Sequence, residues 1–144
     1  MEAFHPPARA PRGVLHDLGL APAPSALIAA VKAGLDTRVF VELAHRLGVS
    51  EAGLAEVVGL APSTLARRKR AGRLTPPESD RLLRIAALLD RATRVFEDEA
   101  DAADWLRAPN LALGGVAPLA LADTEFGARE VEDLIGRLEH GVYS

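Results

Sequence analysis

The segment from Asp36 to Gly72 constrains the fold more than any other part of the chain. Three helix-length apolar patterns lie there, each opened by a capping residue or a proline and closed by a glycine. Asp36 caps a helix expected to run to about Leu47, with Val39, Phe40, Leu43, Ala44 and Leu47 on one stripe. Gly48 follows where a left-handed residue is wanted at a helix end. Ser50 opens a short helix, Glu51 to Val58, in which Leu54, Val57 and Val58 are apolar, and Gly59 closes it. Pro62 and Ser63 open a third helix, Thr64 to Arg70, with Leu65 as its one large apolar residue and Gly72 as its stop. Two short helices joined by a tight turn containing glycine, at about 50–70, have the form of a helix-turn-helix.

The flanking sequence is helical in the same way. Thr75, with Glu78 three residues later, has the pattern of a capping box, and Pro76 suits the first helical position. A long amphipathic helix is expected from there to about Phe96, with Leu82, Ile85, Ala86, Leu89 and Phe96 on its buried side. Upstream, Ser25 is a candidate cap for an apolar segment that stops at Gly34. Downstream come a helix near Glu99 to Leu106, an irregular segment over 108–115, a helical turn from Pro118 and a last helix from about Phe126 to Glu139. Either Asp123 or Thr124 caps that last helix, whose Val131, Leu134, Ile135 and Leu138 stand at core spacing. Aromatic residues are 4% of the chain and the apolar residues are mainly Ala and Leu, which favour helix, whereas strands favour β-branched and aromatic side chains. The expectation is all-α, with no strand and no internal repeat. Residues 1–23, with Pro at 6, 7, 11 and 22, are expected to be a flexible Ala/Pro-rich tail. Residues 24–96 read as a helical domain holding the helix-turn-helix and a connecting helix, and 97–144 as a second, small helical domain.

The net charge of −3 conceals a gradient. Residues 60–95 hold nine basic and three acidic side chains, whereas 96–144 hold three basic and eleven acidic. A chain polarised in this way is built for two different partners. The chain has no cysteine, so disulfides and thiolate metal sites are excluded. None of His5, His16, His45 and His140 has a second ligand at helical spacing with an acidic partner. No nucleophile elbow, Walker loop or dinucleotide fingerprint is present, and Gly114-Gly115 suits a chain reversal. An enzyme is therefore not expected, and no metal or cofactor is called for. The first residues lack a basic stretch followed by an apolar run, and Leu18 to Leu35 is broken by Pro22 and Pro24 and carries Lys32. The expected protein is soluble and cytoplasmic, with no membrane partner.

Thr64, Arg67, Arg68, Lys69, Arg70 and Arg73 fall within ten residues while Leu65 anchors the helix inward. The segment would be roughly 12 Å long, which suits a major groove about 12 Å wide. Ser63, Thr64, Arg67 and Arg68 are expected to reach base edges or phosphates, and Lys69, Arg70 and Arg73 the phosphate backbone. Six such contacts would give log K a slope near −5 against log salt, at about −0.9 per contact.

The C-terminal residues are the most specific. Val95-Phe96-Glu97-Asp98-Glu99-Ala100 is followed by Ala103-Asp104-Trp105-Leu106-Arg107-Ala108-Pro109-Asn110, then Leu113-Gly114-Gly115-Val116-Ala117-Pro118-Leu119 and Asp123-Thr124-Glu125-Phe126-Gly127-Ala128-Arg129-Glu130-Val131. The sequence closes on Leu138-Glu139-His140-Gly141-Val142-Tyr143-Ser144. Together these resemble the toxin-binding domain of the Xre/MbcA/ParS antitoxins, and Ser79-Asp80-Arg81-Leu82-Leu83-Arg84 resembles the family's connecting helix. The resemblance spans about residues 50–144. It implies a partner toxin with a RES domain that consumes NAD, and repression of the antitoxin's own operon through operator DNA. It also implies a homodimer that joins the toxin in a higher-order complex. The positions expected to face the toxin are Glu139, His140, Gly141, Val142, Tyr143 and Ser144, where Tyr143 can fill an apolar slot and offer its hydroxyl. Trp105 and Leu106 read as core. The rival reading is a helix-turn-helix repressor with no toxin partner.

Overall fold

The structure is a computed structural model that describes residues 13–141. The described part is all-helical. The elements are α1 (Val14–Asp17), α2 (Pro24–Ala33), α3 (Thr37–Leu47), α4 (Glu51–Val58), α5 (Pro62–Ala71), α6 (Pro76–Phe96), α7 (Glu99–Arg107), a 3-10 turn (Leu111–Leu113), α8 (Pro118–Leu121) and α9 (Glu125–Glu139).

The punctuation read from the sequence positions these helices. The Asp36 carboxylate accepts from Arg38 N at 2.8 Å and Ser50 Oγ from Gly53 N at 3.0 Å. Gly48 and Gly59 end α3 and α4 in the left-handed conformation. Thr75 and Glu78 form a reciprocal capping box at the start of α6. Ser25 does not cap α2: Pro24 starts that helix and Ala23, which has no side-chain acceptor, takes the cap position. At the other end, Thr124 rather than Asp123 caps α9, its hydroxyl accepting from Gly127 N at 3.0 Å.

Helix α6 is the axis of the fold. It packs against α1, α2, α3, α7 and α9, so its buried surface is wider than one stripe. Leu82, Ile85, Ala86 and Leu89 are buried as expected, and Leu88, Ala92, Ser79 and Asp90 are buried with them. One hydrophobic core runs from Val14 through Phe40, Leu54 and Leu89 to Ile135. At the junction of the two expected domains, Glu97 takes φ 59° without being glycine and turns the chain from α6 into α7. Across that corner the Phe96 and Trp105 rings lie 5.6 Å apart at 46°. Leu106 is fully buried and Trp105 is packed against the same core.

Residues 13–23 differ from the expected tail. Val14, Leu15, Leu18 and Leu20 are buried. Asp90 on α6 accepts from Leu15 N at 3.4 Å and from Arg94 Nη2 at 2.7 Å, seating α1 on the central helix. Prolines suggested a tail there, but the Val14-Leu15-x-x-Leu18-x-Leu20 spacing supplies an apolar face that α6 buries. Residues 1–12 of that segment lie outside the described residues.

Candidate functional site

Two backbone hydrogen bonds tie the turn before α3 to the turn before α6: Leu74 N to Leu35 O at 2.9 Å and Thr37 N to Gly72 O at 3.1 Å. Ser79 Oγ, fully buried, accepts from Leu35 N at 2.8 Å. Gly34 has φ 86°, and a Cβ there would strike the Leu74 carbonyl oxygen. On the other side, Arg81 Nε donates to Val58 O at 2.6 Å and closes the end of α4. The helix pair α4–α5 is thus held from both sides by α6 and its turn. Leu65, Leu54, Val58 and Leu60 are buried beneath it.

On this frame the seven residues expected at DNA separate into two groups. Ser63, Arg67 and Arg70 are exposed and Thr64 is half-buried. Ser63, Arg67 and Arg70 stand at i, i+4 and i+7, which places them on one face of α5, away from Leu65. Neither Arg67 nor Arg70 forms an ion pair among the described residues. Lys69 is also at the surface, with Nζ 2.7 Å from Glu51 Oε1.

Arg68 and Arg73 point elsewhere. Arg68 turns inward and meets Glu78 with both guanidinium branches, Nε to Oε1 at 2.8 Å and Nη2 to Oε2 at 3.2 Å. Glu78 also accepts from Thr75 N at 2.9 Å. Burial pushes the Glu78 carboxyl up, but the Arg68 hydrogen bonds and the Thr75 amide outweigh it and hold the group below its ordinary value. Arg73 Nη1 donates to Gly34 O at 2.8 Å. Sequence reasoning missed that these two arginines are held by partners within the fold, Arg68 half-buried and Arg73 at the surface. The signal was present for Arg68, which lies three residues after Leu65 and therefore on the same side of the helix.

The C-terminal unit is built from α7, α8 and α9. Asp98 caps α7 by accepting from Asp101 N at 2.8 Å. Asn110 caps the 3-10 turn, and Gly114 and Gly115, at φ 72° and 83°, reverse the chain so that Asn110 and Val116 form an isolated bridge. Gly127 lies against the Leu121 carbonyl so closely that any Cβ would overlap it, which seats α9 on α8. Arg46 of α3 joins this unit to the rest, reaching Glu99 Oε1 at 2.7 Å, Glu42 Oε1 at 3.0 Å and Asp17 Oδ2 at 3.2 Å. Burial disfavours the Arg46 charge, but the three carboxylates more than offset this and raise its pKa. Of the residues expected to face a toxin, Glu139 ends α9 with Oε2 3.5 Å from Arg91 Nε, while His140 and Gly141 are exposed beyond it. Val142, Tyr143 and Ser144 lie outside the described residues. No helix among the described residues is long and apolar enough to cross a membrane.

Comparison with known proteins agrees with both halves of this architecture. Residues 26–87 match the antitoxin Xre-like helix-turn-helix domain, and residues 82–141 match the antitoxin Xre/MbcA/ParS C-terminal toxin-binding domain. The matches overlap within α6. The chain is 37% identical to the antitoxin Xre of Yersinia enterocolitica, over the full length of both proteins. It is 32% identical to the antitoxin Xre of Photorhabdus laumondii, over 82% of this chain and 81% of the relative. It is 33% identical to the antitoxin Xre of Pseudomonas putida, over 53% of this chain and 48% of that protein.

Proposed function

The chain belongs to the Xre/MbcA/ParS antitoxin family, and from that membership we propose that it neutralises a RES-type, NAD-consuming toxin and represses its own operon. The observation that carries the DNA half is the exposed face of α5. Ser63, Arg67 and Arg70, with Thr64 beside them and Lys69 at the flank, are presented by a helix that Arg68 ties to α6 and Leu65 anchors in the core. Those residues read base edges and phosphates, while Arg68 and Arg73 hold the helix at its working angle. A homodimer presents two such helices to half-sites about 34 Å apart.

In the toxin half, the last six residues, Glu139 to Ser144, enter the toxin's active-site cleft and obstruct it without chemistry of their own. The acidic balance of residues 96–144 suits a cleft that holds the phosphates of a dinucleotide. Toxin and antitoxin dimer form a higher-order complex in the cytoplasm. The test is co-purification of this chain, tagged, with the product of the neighbouring gene. A stoichiometric partner that is toxic alone and depletes NAD supports the reading. A homodimer that binds operator DNA and recovers no partner favours the repressor reading instead.

A further inference from the structure

We propose that the outer face of α2, with the strip of α6 beside it, is where a second copy of this chain docks; this rests on the homodimer reading and gives that dimer its interface. Helix α2 is apolar on every side. In Pro24–Ala33 only Ser25 and Lys32 are polar, yet none of its residues is buried. A helix that is hydrophobic all round is ordinarily enclosed. Leu27 and Ala30 pack on the core, whereas Ile28 is 56% exposed. Val31 and Lys32 follow Ile28 at i+3 and i+4, on the same face. Beside them lies a shallow hollow of about 230 Å³ lined by Leu27, Ile28, Val31, Lys32, Asp80 and Leu83. The two helices thus share one apolar surface that carries an exposed cation and an exposed anion.

Those charges select the occupant. Lys32 forms no ion pair among the described residues. The Asp80 side chain is 60% exposed, and its ion-pair partner is Arg84 of its own helix, at 3.1 Å. A face with one charge of each sign is complementary to itself: a two-fold axis through the apolar strip sets Lys32 of each copy against Asp80 of the other. One cation offset by one anion offers little to DNA phosphates. Neither charged side chain at the hollow is buried, so a small ligand finds no enclosed polar group to orient it. The face is also tied to the reading helix. Helix α2 runs into Gly34 and Leu35, whose carbonyls accept from Arg73 Nη1 at 2.8 Å and Leu74 N at 2.9 Å, just after α5. Pairing two α2 helices therefore sets the separation of two α5 helices. A helix of 10 residues is about 15 Å long, so the face covers a few hundred Å², below the roughly 800 Å² per partner of a standard interface. The dimer is accordingly weak and depends on concentration.

Sedimentation of the full chain over a range of concentrations reads this interface. Ile28→Glu is expected to weaken self-association about a hundredfold or more, because a two-fold interface loses the contact twice. Its thermal melt at high dilution should match that of the parent, since the side chain is largely exposed within one copy. Lys32→Asp should also weaken self-association, and adding Asp80→Lys should restore it by exchanging both charges. Phe126→Ser, at an apolar residue 83% exposed on α9, should leave self-association unchanged. Parent-like self-association of Ile28→Glu overturns the proposal, as does a dimer lost in Phe126→Ser instead. If Ile28→Glu stays dimeric but loses toxin affinity, the face belongs to the toxin and the proposal falls equally. A parent chain that stays monomeric at every concentration, alone and on operator DNA, removes the homodimer reading itself, a result distinct from the others.

Discussion

Arg68 and Glu78 face one another between α5 and α6, with the guanidinium fork on both carboxylate oxygens at 2.8 and 3.2 Å. Glu78 is 6% exposed and is also the third residue of a capping box, so one carboxylate fixes both the angle of α5 and the start of α6. Because its pKa is depressed in the folded chain, it stabilises the fold fully above the unfolded value near 4.5, and that contribution is lost as pH falls through the folded value. The melting temperature of the parent should therefore drop more steeply below about pH 4.5 than that of Glu78→Gln, while near neutrality the parent is the more stable. Parallel melting curves across that range would remove the linkage.

The same pair reduces the number of charges available to DNA. Arg67 and Arg70 stand without a partner among the described residues, and Lys69 can leave a surface ion pair that holds it weakly. With two or three phosphate contacts, log operator affinity should change with log salt at a slope of about −2 to −3 per subunit, not the roughly −4.5 that all five cations of the segment imply. Arg67→Ala and Arg70→Ala should each flatten the slope by about one. A measured slope near −4.5 would mean that Arg68 and Arg73 abandon Glu78 and the Gly34 carbonyl on binding.

Most of the fold was legible because local signals and burial coincide: the Asp36, Ser50 and Thr75 caps and the Gly48, Gly59 and Gly72 stops all stand where the sequence placed them. The failures are tertiary. Val14, Leu15 and Leu18 were hidden among prolines, since nothing local announces that Asp90, seventy-five residues from Leu15, waits to receive its amide. A basic run looks uniform in sequence, but packing sorts it by helical angle, and Arg68 falls on the side of Leu65. Leu111 and Phe126 stand exposed, and nothing in their local sequence sets them apart from the buried Leu106 and Leu119.

Arg46 binds carboxylates from α1, from its own helix and from α7, so it fastens the helix-turn-helix half to the C-terminal unit. Arg46→Met keeps most of the aliphatic packing and removes the charge. It should cost about 1–3 kcal/mol in denaturant unfolding, between the exposed and the buried limits for ion pairs. Amide exchange should accelerate first in α1 and the start of α7. A change confined to α3 would show that the three carboxylates do not act through this guanidinium.

Two glycines in α9 make a sharper comparison, because substitution by alanine at each should act in opposite directions. At Gly127 an added Cβ would overlap the backbone oxygen of Leu121, and backbone cannot swing away. Gly127→Ala must lift α9 from α8, at about 1–3 kcal/mol for overpacking a fitted contact. At Gly136 the Cβ would meet only Arg91 Nη2, at 3.1 Å, the far end of a flexible side chain. Gly136→Ala should therefore gain about 0.5–1 kcal/mol from helix propensity and reduced freedom of the unfolded chain. At about 2–4 °C per kcal/mol for a chain of this size, thermal melts resolve both changes. Stabilisation by Gly127→Ala would mean that α8 and α9 do not approach as closely as the Leu121 carbonyl requires.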